Sequence, residues 1–202
     1  FHHLAHLKAK PTIFDAEFEK HATCLAQLKT LVVFDPLNQM SESSAVVLGR
    51  LLEQFTQLTT LEMEFNNLHE VLPPLTPYMS DLTALKHLKV YNSGESRLVS
   101  DGIGWLVTHL SKLTQLSHLD VGYLVNGRDE ETVKRLCELI SSLPNLATLQ
   151  LPYNDFKPRS IENLCEYISQ LSGLTHLDLT RSTQNEASMN VLGKVMAHSP
   201  IN

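Results

Sequence analysis

Residues 146–156 read Leu146-Ala147-Thr148-Leu149-Gln150-Leu151-Pro152-Tyr153-Asn154-Asp155-Phe156. Apolar residues at steps of three and two are followed by an asparagine and an aromatic ring. The Leu-x-x-Leu-x-apolar frame recurs as Leu28-Leu31-Val33, Leu58-Leu61-Met63, Leu85-Leu88-Val90, Leu116-Leu119-Val121 and Leu174-Leu177-Leu179. A degenerate copy, Leu4-Leu7-Ala9, precedes them. Successive copies start 30, 27, 31, 30 and 28 residues apart. Self-similarity at a period of this size marks a stacked array.

The segments between copies keep their own phase. Counting back from Leu146 finds Val133, Leu136, Cys137, Ile140 and Leu143, and the same offsets from Leu174 find Ile161, Leu164, Cys165, Ile168 and Leu171. Leu116 is preceded in the same way by Ile103, Leu106, Val107, Leu110 and Leu113, and Leu58 by Ala45, Leu48, Gly49, Leu52 and Phe55. Spacing of i, i+3, i+4, i+7 puts each set on one helical stripe. Each repeat therefore reads as one short strand and one amphipathic helix.

On these residues the chain resembles a leucine-rich repeat protein, of the ribonuclease-inhibitor-like type with full helices. The longer frame Leu-x-x-Leu-x-Leu-x-x-Asn-x-Leu is met by Leu58-Leu61-Met63-Asn66-Leu68 and nearly by Leu146-Leu149-Leu151-Asn154-Phe156. Elsewhere Pro36, Ser93, Leu124 or Ser182 holds the asparagine position, which breaks the regular ladder. The resemblance implies an α/β solenoid, a horseshoe of about seven repeats of 27–31 residues, with a parallel β-sheet on the concave face and α-helices on the convex face. One strand–helix unit cannot bury both of its apolar surfaces, whereas stacked units can. Residues 1–202 are expected to form a single repeat domain, a fragment of a longer protein. Phe1 stands where a repeat's last helical core residue belongs, and Ser199-Pro200 echoes Leu143-Pro144 just before a strand.

Irregularities are few. Leu72-Pro73-Pro74-Leu75-Thr76-Pro77 predicts a short helix from about Pro77 onward, or a 3₁₀ turn, since proline belongs in a first turn rather than a helix interior. Residues 92–101 and 126–130 read as rim loops, with Asn126-Gly127 a turn dipeptide.

Composition narrows the function classes. A net charge of −6 argues against non-specific nucleic-acid binding. No apolar run approaches the ~20 residues of a spanning helix, so no membrane partner is expected. Three cysteines make no complete disulfide framework and fit a reducing, cytoplasmic compartment. Cys137 and Cys165 share one helical position with Val107 and read as small buried packing groups. Trp105, between Ile103 and Leu106, is expected to be partly buried.

Two stretches suggest chemistry. Ser117-His118-Leu119-Asp120 and Thr175-His176-Leu177-Asp178 each place a histidine and an aspartate on one strand face. A triad also needs a reachable nucleophile and a pocket that excludes water, and an open sheet supplies neither. Zinc wants three or four ligands, and only His87 and His118 converge with Asp120 nearby. No catalytic residue, metal site or cofactor is expected.

The variable strand positions then become informative. One column reads His87, His118, His176, and the next reads Glu62, Lys89, Asp120, Gln150, Asp178, where charge alternates across adjacent strands. Phe65, Tyr123, Tyr153 and Arg181 share a position beyond these, with Tyr91 one residue before it. Aromatic and Arg side chains are enriched in interface hot spots. These thirteen residues form the candidate site for a protein partner. The texture of the variable positions resembles leucine-rich-repeat effectors of intracellular bacterial pathogens, which implies a host protein as partner and a host-cell cytosol as location. The alternative is a substrate-recognition or sensor repeat domain of a larger complex such as a ubiquitin ligase.

Overall fold

In the computed structural model, which describes residues 3–35, 37, 39–93, 102–183 and 186–196, the elements alternate regularly. The strands are β1 (His6–Ala9), β2 (Thr30–Asp35), β3 (Thr60–Phe65), β4 (His87–Asn92), β5 (His118–Asp120), β6 (Thr148–Gln150) and β7 (His176–Asp178). The helices are α1 (Ala16–His21), α2 (Glu42–Gln54), α3 (Leu68–Leu75), α4 (Gly102–Leu110), α5 (Glu130–Ser141), α6 (Pro158–Ile168) and α7 (Glu186–Met196). The strands form one parallel sheet in chain order. The fold is a leucine-rich-repeat-like α/β solenoid.

Register follows the repeat frame without a slip. Leu7, Leu31, Leu61, Leu88, Leu119, Leu149 and Leu177 form one row across the sheet. From Leu31 to Leu149 the row is fully buried, and Leu177 at the edge is half-buried. The helices from α2 to α6 meet this layer with their apolar stripes: Val133, Leu136, Cys137 and Ile140 of α5 are buried, as are Ile161, Leu164, Cys165 and Ile168 of α6. Each large aliphatic side chain so buried contributes about 1.5–3 kcal/mol. Helix starts are set locally. Ser41 accepts from the Ser44 N–H at 3.1 Å, Asp129 from the Thr132 N–H at 2.9 Å, and Pro158 occupies the first turn of α6. No helix among the described residues is long and apolar enough to cross a membrane.

The proline-rich repeat has the expected 3₁₀ helix around Pro77 and departs from expectation upstream of it. α3 already begins at Leu68 and carries Pro73 and Pro74 inside it, before a 3₁₀ helix over Thr76–Asp81. Leu68, Val71, Leu72 and Leu75 fall at i, i+3, i+4 and i+7 and are all buried. Packing of that stripe outweighs the lost backbone hydrogen bonds, and the helix tightens to 3₁₀ just past the prolines. The rim loop at Asn126 is as expected, with the Asp129 N–H donating to Asn126 O at 3.0 Å. The other expected loop lies mostly in 94–101, outside the described residues, as do both chain ends.

The strands are of two kinds. β2, β3 and β4 run six residues and alternate strictly, so that Asp35, Phe65 and Asn92 still point inward and are buried. β5, β6 and β7 stop after three residues. The backbone then turns left-handed at Tyr123 (φ 57°), Tyr153 (φ 63°) and Arg181 (φ 55°). Sequence columns that coincide through the strand diverge at this point.

The asparagine positions diverge in the same way. After β6, Asn154 is buried; its Oδ1 accepts from the Leu124 and Val125 N–H groups at 3.0 and 2.8 Å, and its Nδ2 donates to Val121 O at 3.1 Å. Ser182 continues that ladder, accepting from the Asn154 N–H at 2.9 Å and donating to Leu151 O. After the longer β3 the phase is shifted by one. Asn67 is buried and donates to Met40 O at 3.1 Å, whereas Asn66 takes the Ser93 hydroxyl at the surface.

Candidate surface on the open sheet face

Three rows of side chains stand on the sheet face, and the parallel register brings each row together. In the first, Thr60, His87, His118, Thr148 and His176 are consecutive. The His87 and His118 rings stack at 4.1 Å with 15° between planes. Glu62 Oε1 lies 3.7 Å from His87 Nε2, and Gln150 Oε1 lies 3.1 Å from His118 Nε2. Burial and then the neighbouring His118 hold the His87 imidazole below its ordinary pKa, with Lys89 adding to the effect and Glu62 opposing it. His176 stands apart, separated from His118 by Thr148.

In the second row Lys89 Nζ lies 3.7 Å from Asp120 Oδ2. Asp120 is on the expected face but only 7% exposed, so it underlies the surface more than it displays charge. Burial pushes its carboxyl up, against Lys89, the Gly122 N–H and His118. Its Oδ1 has no hydrogen-bond partner. Asp178, in the same column, accepts from the Thr180 N–H at 2.8 Å and the Thr180 hydroxyl at 2.5 Å. The aspartate of this His-Leu-Asp stretch thus caps the turn that throws Arg181 outward.

The third row is aromatic. Tyr91 meets Tyr123 edge-on at 5.6 Å and 84°, and Tyr123 stacks on Tyr153 at 4.4 Å and 11°. The Arg181 guanidinium lies 5.5 Å from the Tyr153 centroid, and Lys89 Nζ lies 5.4 Å from that of Tyr91. The ladder is thus bracketed by two cations over rings, an attraction worth about 0.5–1 kcal/mol each where exposed. Burial, then Tyr123, Tyr153 and nearby carboxylates, push the Tyr91 phenol up to about 12.

One expected member is corrected. Phe65 is fully buried, because β3 continues straight through it and the alternation turns its ring into the core. It presents nothing to a partner. The other twelve lie on the sheet face or at the turns that end its strands. Sequence reading missed Gly122, Pro152 and Glu64. A Cβ on Gly122 would sit 2.6 Å from the Tyr91 ring, so that glycine makes room for the first rung. Pro152 has no N–H to extend a strand and precedes the left-handed Tyr153. Glu64 pairs with Tyr91 across the sheet. A Pro or Gly before an aromatic was the available signal.

The arrangement offers no His–Asp–hydroxyl relay. The hydroxyls of Ser117 and Thr175 donate to Lys86 O at 3.1 Å and Ala147 O at 3.2 Å, within the sheet backbone. Among the described residues no three His, Cys, Asp or Glu side chains converge as a metal site. Cys137 and Cys165 are buried thiols, pushed by burial to about 12 and about 11. Trp105 packs half-buried against the core.

No protein-family model matches the chain, and no curated protein matches it. Among solved structures it is similar to an internalin (inlF) from Listeria monocytogenes str. 4b F2365, at 17% identity and a TM-score of 0.30. The match covers 86% of this chain and 61% of the internalin, so the chain spans about three-fifths of that structure's length. At that identity and TM-score the likeness carries no argument about function.

Proposed function

We propose that the chain is a protein-interaction module whose sheet face binds a partner protein. The observation that carries this reading is the Tyr91–Tyr123–Tyr153–Arg181 ladder. Four large side chains stand in contact at the ends of the strands, and two of the tyrosines, with Arg181, sit in a left-handed backbone that costs roughly 1–2 kcal/mol per residue. Core packing does not need that outward turn, since Asp35, Phe65 and Asn92 at the same offset stay in extended strand. Rigid aromatic anchors beside polar rows match the composition of binding hot spots.

In this reading residues 1–202 act as one repeat domain, and the partner-contacting set is Glu62, His87, Lys89, Tyr91, His118, Tyr123, Gln150, Tyr153, His176, Asp178 and Arg181, with Asp120 supporting Lys89 from beneath. The setting we favour is a bacterial effector engaging a host protein in the host-cell cytosol. Three free cysteines support a reducing compartment. The test captures proteins from host-cell lysate on the wild-type chain, on Y123A/Y153A and on Lys134→Ala of α5. Partners retained by wild type and Lys134→Ala but lost by the tyrosine variant are expected. Equal retention by all three, with unchanged circular dichroism, would sink the assignment of the binding face.

A further inference from the structure

We propose that the stacked His87–His118 pair is a proton-operated element of the sheet face, closed when neutral and driven apart in acid, so that the surface offered to a partner differs between neutral and acidic surroundings. The effect on a partner rests on the binding role of this face, whereas the geometry of the pair stands independently. Two imidazoles 4.1 Å apart and nearly parallel attract while at most one is charged. Two imidazoliums at that distance repel, and the half-buried setting weakens the screening that would relieve them.

The pair is faced from every adjoining strand. β3 contributes Glu62, 3.7 Å from His87; β4 contributes Lys89; β5 contributes Asp120, held by Lys89 at 3.7 Å; β6 contributes the neutral Gln150, 3.1 Å from His118. Glu62 can balance one positive charge on His87. The carboxylate beside His118, Asp120, is buried and shared with Lys89, so it balances a second positive charge only in part. A second positive charge therefore meets the first at 4.1 Å with only a shared carboxylate to offset it, and the two rings respond as a pair. Separation of the rings would also disturb Lys89, which lies over Tyr91, and through it the ladder.

The sign of the stability effect is fixed. A histidine whose pKa is lowered by folding contributes stability that is complete above the ordinary imidazole range, and this is lost as pH falls through that range toward the lowered value. Acid therefore weakens the fold through this pair.

The probe is the proton itself, applied to the purified chain, so the outcome does not depend on having a partner. Imidazole proton resonances are followed by NMR from pH 8 to pH 5, in wild type, His87→Gln and His118→Gln. Three results are expected. His118→Gln raises the His87 midpoint; the mutual ring-current shift of the wild-type pair collapses at the acid end while far-UV circular dichroism stays native; and melting temperature falls more steeply with acid in wild type than in H87Q/H118Q. An unchanged His87 midpoint in His118→Gln, or a ring-current shift that persists to pH 5, would overturn the proposal. If a glutamine variant fails to fold, the wild-type ring-current measurement decides alone. A pH-responsive stack together with an inert tyrosine ladder would leave the proton device standing and refute the binding face.

Discussion

The same three letters, His-Leu-Asp, occur at β5 and β7, and the structure assigns their leucines different worth. Leu119 is fully buried between Leu88 and Leu149 in the central row. Leu177 is half-buried and has a strand neighbour on one side only, Leu149, among the described residues. Truncating Leu119 to Ala removes the transfer energy of a fully buried side chain and leaves a cavity walled by two strands and a helix. The cost is about 3–4 kcal/mol. Leu177→Ala removes a side chain that is partly exposed already and leaves a gap open to solvent, so it costs less, about 1–2 kcal/mol. Urea titration followed by two probes separates them. Trp105 on α4, the sole tryptophan, reports the middle of the array, and far-UV circular dichroism reports all of it. Leu119→Ala should shift both transitions to lower urea. Leu177→Ala should shift only the early part of the dichroism curve, because a stacked array frays from its ends. Equal losses from the two variants, or an equal shift of the Trp105 transition, would refute the nearest-neighbour account.

Backbone strain at the ladder is testable by an inverted ranking. Tyr153→Gly should be less destabilising than Tyr153→Ala by about 1 kcal/mol in urea melts, because only glycine relieves the left-handed residue. Asn154→Ala removes three buried hydrogen bonds to the preceding turn and should cost about 3 kcal/mol. Asn66→Ala, at the matching position of an earlier repeat, loses the bond from the Ser93 hydroxyl and should cost less, about 1 kcal/mol. Iodoacetamide at pH 8 should alkylate Cys24 first and leave Cys137 and Cys165 intact in the folded chain, as mass spectrometry would show; labelling of the buried pair at the same rate would contradict their raised pKa values.

The repeat frame was legible because it rests on burial, and burial is periodic: Leu31, Leu61, Leu88, Leu119 and Leu149 all took their places. The stripe Val133-Leu136-Cys137-Ile140 was legible for the same reason. The path of the chain beyond each strand was not, because it depends on whether the ladder continues for three more residues. Phe65 and Tyr123 hold the same offset from their leucines and face opposite ways. The difference lies in small local terms: Gly122 or Pro152 before the aromatic, or the Asp178 side chain closing on Thr180. Pro73 and Pro74 misled in the other direction, since a strong local penalty yielded to four buried apolar side chains. Asp120 lies on the expected face, but its burial depends on the side chains around it, Lys89 among them, which strand periodicity does not encode.

The change of strand type between β4 and β5 bears on how such an array can grow or shrink. In the later repeats each unit completes its predecessor, as when Asn154 serves the backbone of 121–125 and Ser182 serves Asn154. Removal of one period at 31–60 would join like to like, splicing Thr30 onto Leu61 with a six-residue strand preserved. Removal of one period at 116–145 would set Asn154 against the unit of β4, where Asn92 stays in extended strand at the offset at which Tyr123 turns left-handed. The chain is thus written in two dialects, and its units are exchangeable within each but not across the seam.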